Sequence, residues 1–163
     1  MLSQSVGYAA IALGRVAAAG GAPVLIKDIA EDCDIPSPYL AKIVNSLARK
    51  SILATQRGVG GGVTLARPAG EISLFDLCVA MDDPIVQARC MLGVAVCSDE
   101  RSCPAHRFWK AAREEQAEFL RTTTVADITS FEVHRRWKHL QPPGGANSPA
   151  GAAAKTGVRG ARR

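Results

Sequence analysis

The chain has 163 residues, 47% of them hydrophobic but only 5% aromatic, and a net charge of +5. That length suits one small domain with an appendage, and a core drawn from Ala, Val, Ile and Leu favours packed helices with small contact residues. The apolar run from Ala9 to Ala19 is too short for a membrane span and holds Arg15, and no leader pattern precedes it. A cytoplasmic chain is therefore expected, in which five cysteines read as metal ligands or redox groups and not as a disulfide scaffold.

The first predicted element is a helix over residues 3–19. Val6, Ala9, Ala10, Leu13, Val16 and Ala17 recur at three- and four-residue steps. Ser3 or Ser5 can cap its start, and Gly20-Gly21 stops it. A short helix follows over Leu25 to Asp34, with Ile26, Ile29, Ala30 and Cys33 along one side. Pro36-Ser37-Pro38 opens a third, since proline has no N–H to lose in a first helical turn. Leu40, Ile43, Val44 and Leu47 form its apolar stripe, and Ser37, Ala41, Lys42, Asn45 and Arg49 its opposite face. Two short helices joined by a tight turn, the second polar and basic outward, have the form of a helix-turn-helix.

Ile52 to Gln56 and Val63 to Ala66 read as short strands around Arg57-Gly58-Val59-Gly60-Gly61-Gly62. Glycines permit positive φ, so this is a hairpin with a thin tip, a wing behind the third helix. Arg57 at its shoulder and Gly60 at its tip are candidates to meet DNA, Arg57 through a minor groove or a phosphate. A helix over Ser73 to Met81 carries the capping box Ser73–Asp76, and residues 82–103 read as irregular. A long helix then runs from Pro104 to about Arg121, with Phe108, Trp109, Ala112, Gln116 and Phe119 spaced as one stripe. It is a candidate dimer helix, because so short a chain has little other surface to cover it. Thr124 and Asp127 suggest a further capped turn or short helix. The Pro-, Gly- and Ala-rich end is read as a disordered basic tail. The expected fold class is thus mainly α. A winged helix-turn-helix domain with a two-stranded wing spans 1–82, a cysteine loop 83–103, a dimerisation helix region 104–130 and the tail 141–163.

Charge is unevenly placed. Lys155, Arg159, Arg162 and Arg163 give the tail most of the net charge, yet Ile35 to Gly70 holds Lys42, Arg49, Lys50, Arg57 and Arg67 without one acid. Such a patch can neutralise phosphates and release counterions, or simply be a solvated face.

The cysteines supply the second signal. Cys90-x6-Cys97-x5-Cys103-x2-His106 places three thiols and an imidazole on a loop that ends at a helix start. Cys103 and His106, three apart, share one side, and the positive end of the helix favours thiolate and neutral imidazole. Soft thiolates with one imidazole suit zinc or an iron–sulfur cluster. Cys33 and Cys78 lie on apolar stripes and read as core. His134 and His139, among Arg135, Arg136 and Lys138, read as solvated, with nucleic-acid contact the alternative. No nucleophile elbow, P-loop or dinucleotide fingerprint is present, so no enzyme is expected.

Taken together, these motifs resemble the Rrf2 family of bacterial transcription regulators over roughly residues 1–130. The resemblance rests on Tyr8-Ala9, on Ile35-Pro36-Ser37-Pro38-Tyr39-Leu40, on the glycine wing and on the three-cysteine loop. It implies a homodimer that binds a palindromic double-stranded DNA operator, a long helix crossing between subunits, and an iron–sulfur cluster on Cys90, Cys97 and Cys103. It also implies DNA contacts from Ser37, Tyr39, Ala41 and Lys42, with Arg57 entering the minor groove.

Cys103-x2-His106-x2-Trp109 is most similar to the iron–sulfur-assembly (IscR-like) branch, in which a histidine completes a 2Fe-2S site. That cluster is therefore expected ahead of 4Fe-4S. The nitric-oxide-sensing branch can recruit an N-terminal carboxylate, but Tyr8 stands there in this chain and the first acid is Asp28. Two departures stand out: the first cysteine spacing is one residue longer than usual, and Ala41 replaces a glutamate, which shifts the expected operator preference. The function implied is a cytoplasmic repressor that senses iron, redox state or nitric oxide. The alternative is a zinc-stabilised nucleic-acid-binding module with a purely structural Cys3His site.

Overall fold

In the computed structural model, which describes residues 1–93, 96–100 and 103–135, helix α1 (Gln4–Ala18) is the element around which the others are arranged. The Ser3 hydroxyl accepts a hydrogen bond from the Val6 N–H, and Gly20, at φ 62°, turns the chain away after Ala19. Val6, Ala9, Ala10, Leu13 and Val16 are buried as the periodicity predicts. Ala12 and Arg15, outside that stripe, are buried as well. The reason is that α1 packs against α2, α3, α4, β2 and α6, so it is covered on almost every side. Arg15 is 9% exposed, and its Nε lies 2.6 Å from Asp32 Oδ2. A cation buried this far needs such a partner.

Helix α2 (Ile26–Cys33) ends at Asp34, which adopts the left-handed conformation at φ 54°. The Ile35 N–H then returns to the Ala30 carbonyl and Ile35 is buried, which tightens the turn before Pro36 caps α3 (Ser37–Arg49). Leu40, Ile43, Val44 and Leu47 face the core as expected. Tyr39 ties α3 to α1. Its hydroxyl is 2.6 Å from Ser5 Oγ, and its ring meets the Tyr8 ring edge-on.

Strands β1 (Leu53–Gln56) and β2 (Gly62–Leu65) pair antiparallel, with Leu53 opposite Leu65 and Gln56 opposite Gly62. This is the wing read from the sequence. An addition not foreseen is a bridge from Val63 to Val24, with both N–H groups donating across it. The hairpin is thereby held against the chain just before α2.

Helix α4 (Leu74–Ala80) begins with the anticipated capping box, Ser73 and Asp76 each accepting the other's N–H. Helix α5 (His106–Thr122) begins two residues later than predicted, because Pro104 and Ala105 form a turn closed by the His106 N–H on the Cys103 carbonyl. The predicted stripe divides: Trp109, Ala112 and Gln116 are half-covered, while Phe108 and Phe119 are exposed, and Leu120 is the buried residue of the helix. Helix α6 (Val125–Arg135), capped by Thr124 and Asp127, runs 11 residues and lies along α1. Its sparse apolar pattern, chiefly Val125 and Ile128, hid that role. Among the described residues no helix is long and apolar enough to cross a membrane. The proposed tail over 141–163, His139 and the side chain of His134 lie outside the described residues.

The neck of the wing is sterically closed. A Cβ on Gly61 would collide with the Gln56 carbonyl and stand 2.9 Å from the Gly58 oxygen. Gly61→Ala should therefore cost about 1–3 kcal/mol and lower the thermal midpoint, read by circular dichroism, by a few degrees. An unchanged midpoint would mean that the tip relaxes freely.

Candidate nucleic-acid interface and metal centre

The outward face of α3 presents exposed Ser37, Lys42, Asn45 and Arg49, with Ala41 half-buried among them. Lys42, Asn45, Ser46, Ala48 and Arg49 line an open depression on this face. Nearest-neighbour charges do not quench it. Arg49 Nη2 reaches only Ser46 Oγ, at 3.4 Å, and the described residues place no carboxylate within ion-pair distance of Lys42 or Arg49. Arg67 differs, since it pairs with Asp76 at 3.5 Å and so drops out of the acid-free patch. Tyr39 is half-buried and engaged with Ser5 and Tyr8, so it fixes the angle of α3 as well as flanking its face. Arg57 and Gly60 are exposed on the wing, and Val59 at its tip is fully so.

The cysteine loop starts at Asp83, which is buried. Its carboxylate accepts the Ser3 and Ile85 N–H groups at 3.0 and 2.9 Å. Burial works against this carboxylate, but those hydrogen bonds and the nearby N-terminal ammonium outweigh it, and the group stays below the usual aspartate range. After the turn Pro84–Val86 the loop folds back on itself. Arg89 bridges to Val96, and the Cys97 N–H donates to the Ala88 carbonyl at 2.8 Å. The Trp109 indole N–H then fastens the loop to α5 by donating to the Arg89 carbonyl at 2.8 Å, one residue before Cys90.

Of the four proposed ligands, the structure brings two together: Cys97 Sγ is 3.2 Å from His106 Nδ1. The imidazole thus meets Cys97, a contact that the spacing of Cys103 and His106 does not reveal. Cys90 and Cys103 are half-buried nearby in the chain and do not join the pair. Among the described residues, no three His, Cys, Asp or Glu side chains are gathered as a group that could hold a metal ion. The chemistry of the donors nonetheless fits a soft metal centre, with three thiols outside any disulfide and an imidazole whose Nδ1 faces sulfur. The opposite ring nitrogen, Nε2, is 2.9 Å from Asp99 Oδ1, and Lys110 Nζ binds both Asp99 oxygens at 2.9 and 3.1 Å. Lys110 and His106 hold the Asp99 carboxyl below its ordinary range, and Asp99 raises Lys110 in return. These groups border a cavity of about 160 Å³.

Asp99, Lys110 and the tether made by Trp109 were not singled out from the sequence. A signal was there for one of them: Lys110 follows His106 by four residues on a helix, which places both on one face.

The Rrf2 family, described as iron-dependent transcriptional regulators, matches residues 2–130. A protein of Aquifex aeolicus assigned by name to the HTH-type transcriptional regulators is 29% identical, over 87% of this chain and 97% of that one. The HTH-type transcriptional regulator IscR of Sodalis glossinidius is 31% identical, over 77% of this chain and 76% of its own length. Other IscR proteins are spanned over slightly less than two thirds of their length. Among solved structures, CymR, the global cysteine regulator of B. subtilis, superposes with a TM-score of 0.66 at 25% identity, covering 80% of this chain and 97% of that one.

The five thiols divide by environment. Cys33 and Cys78 are buried as the sequence implied, and burial pushes the Cys78 thiol up to about 11. Thiolate is the reactive form. Brief iodoacetamide treatment of the metal-free chain should therefore modify Cys90, Cys97 and Cys103 in peptide mass maps and spare Cys33 and Cys78 until denaturant is added. Equal modification of Cys78 and Cys97 would contradict the packing of α4.

Proposed function

This chain belongs to the Rrf2 family of transcriptional regulators, and on that footing we propose that it is a homodimeric cytoplasmic repressor with an iron–sulfur centre. It is a DNA-binding regulator and not an enzyme. The finer reading is that its hold on a palindromic operator responds to iron, redox state or nitric oxide. The observation that carries this reading is the placing of Cys97 against His106 in a loop tethered to α5 through Trp109.

Cys90, Cys97, Cys103 and His106 would hold the centre, a 2Fe-2S cluster ahead of 4Fe-4S, and it would supply sensitivity to oxidants and to iron supply. The chain's own residues do the rest. Trp109 ties any movement of the loop to α5, whose exposed Phe108 and Phe119 offer the apolar face for a second copy. A shift of one α5 against the other would change the separation of the two α3 helices, and so their fit to two half-sites. Ser37, Tyr39, Ala41, Lys42, Asn45 and Arg49 would form the major-groove face, and Arg57 with Gly60 the wing contact.

Anaerobically purified protein should absorb broadly in the visible, with matching iron and sulfide. Cys97→Ala should abolish the colour and change operator affinity. A colourless wild-type chain with stoichiometric zinc would favour the structural Cys3His alternative and remove the switch. Lys42→Ala and Arg57→Ala should each weaken operator binding and reduce the slope of log affinity against log salt by about one for each phosphate left without its cation. Unaltered binding in both would sink the assignment of the DNA face.

A further inference from the structure

We propose that Asp99, steadied by Lys110, is a positioning residue that turns Nδ1 of His106 toward Cys97 and so selects that nitrogen as the metal ligand. The inference rests on the reading of Cys97 and His106 as ligands and adds to it the part of the site that the loop and α5 build around them.

The two ring nitrogens of His106 face different chemistry. Nε2 is 2.9 Å from Asp99 Oδ1, and Nδ1 is 3.2 Å from Cys97 Sγ. A carboxylate facing Nε2 accepts a hydrogen bond from that nitrogen, and the neutral ring, the form that ligates metal, then has its lone pair on Nδ1 toward Cys97. The imidazole is 16% exposed, whereas Asp99 is 75% exposed and gains no support from packing. Lys110 supplies that support. It sits one helical turn beyond His106 and holds both Asp99 oxygens, at 2.9 and 3.1 Å. With both oxygens engaged, the carboxylate is kept on the Nε2 side of the ring and does not compete with Nδ1 for the space beside Cys97. A carboxylate behind a ligating histidine fixes the ring and strengthens it as a donor, and its removal weakens metal binding about 10- to 100-fold.

The test has two readouts. Cobalt(II), titrated without oxygen into the full-length metal-free chain, should give sulfur-to-metal absorption that Cys97→Ala removes. Asp99→Ala should weaken that binding about 10-fold or more, Lys110→Ala should weaken it less, and Asp99→Asn, which keeps an acceptor, should recover most of the loss. In chain loaded with its cluster and reduced, pulsed electron paramagnetic resonance should show strong nitrogen coupling that follows a label at Nδ1 of histidine and vanishes in His106→Ala. Coupling that follows an Nε2 label would overturn the proposal, as would unchanged cobalt affinity in Asp99→Ala. In either case, Cys97-dependent metal binding would leave the metal-site reading standing. A wild-type chain whose cobalt binding ignores Cys97 would overturn both.

Discussion

The structure depends on how closely its neighbours approach α1. A helix contacted by four other helices and a strand can be covered on nearly every side only if many of its side chains are small, and Ala9, Ala10 and Ala12 meet that condition. Leu13 on the same helix is fully buried, and truncating such a residue costs about 2–5 kcal/mol. The same crowding explains Arg15. With the face that carries Arg15 covered, its guanidinium is satisfied internally by Asp32 on α2, which also fixes the rotation of the helix that precedes the turn.

The first turn of α1 serves two remote elements at once. Ser3 gives its N–H to Asp83 at the start of the cysteine loop, and two residues later Ser5 meets the Tyr39 hydroxyl on α3. The candidate metal centre and the candidate DNA face are therefore anchored to the same few residues, although the chain separates them widely. A common anchor sets the geometry between two sites; coupling of their energies requires in addition that the anchor have two states.

Much of this was legible in the sequence because local rules and tertiary packing agree there. The stripes of α1 and α3, the Ser73–Asp76 box and the glycine-rich hairpin follow from periodicity, capping and permitted φ, and they appear within a residue or two of their expected limits. What stayed hidden depends on partners distant in the chain. Arg15 is unremarkable until Asp32 is beside it, Val24 has no strand character until Val63 pairs with it, and α6 shows a sparse apolar pattern although it packs on α1 and on the turn Ala69–Glu71. At the cysteine loop the spacing singles out candidate donors, but which of them meet appears only in the fold. The backbone bridge from Arg89 to Val96 swings Cys97 to the imidazole, a result that counting residues cannot supply.

The backbone also shows where the cysteine loop is inserted. Ser73 bridges to Thr124, the Leu74 N–H donates to the Thr123 carbonyl, and the Val125 N–H donates to the Ile72 carbonyl. The two ends of the segment that carries α4, the cysteine loop and α5 are thus stitched side by side, while α4 also packs on α1 and Asp83 holds the Ser3 N–H. Such a closed excursion behaves as a cassette. Its contents can be lengthened, stripped of ligands or given a different chemistry while the base stays stitched and α6 still reaches α1.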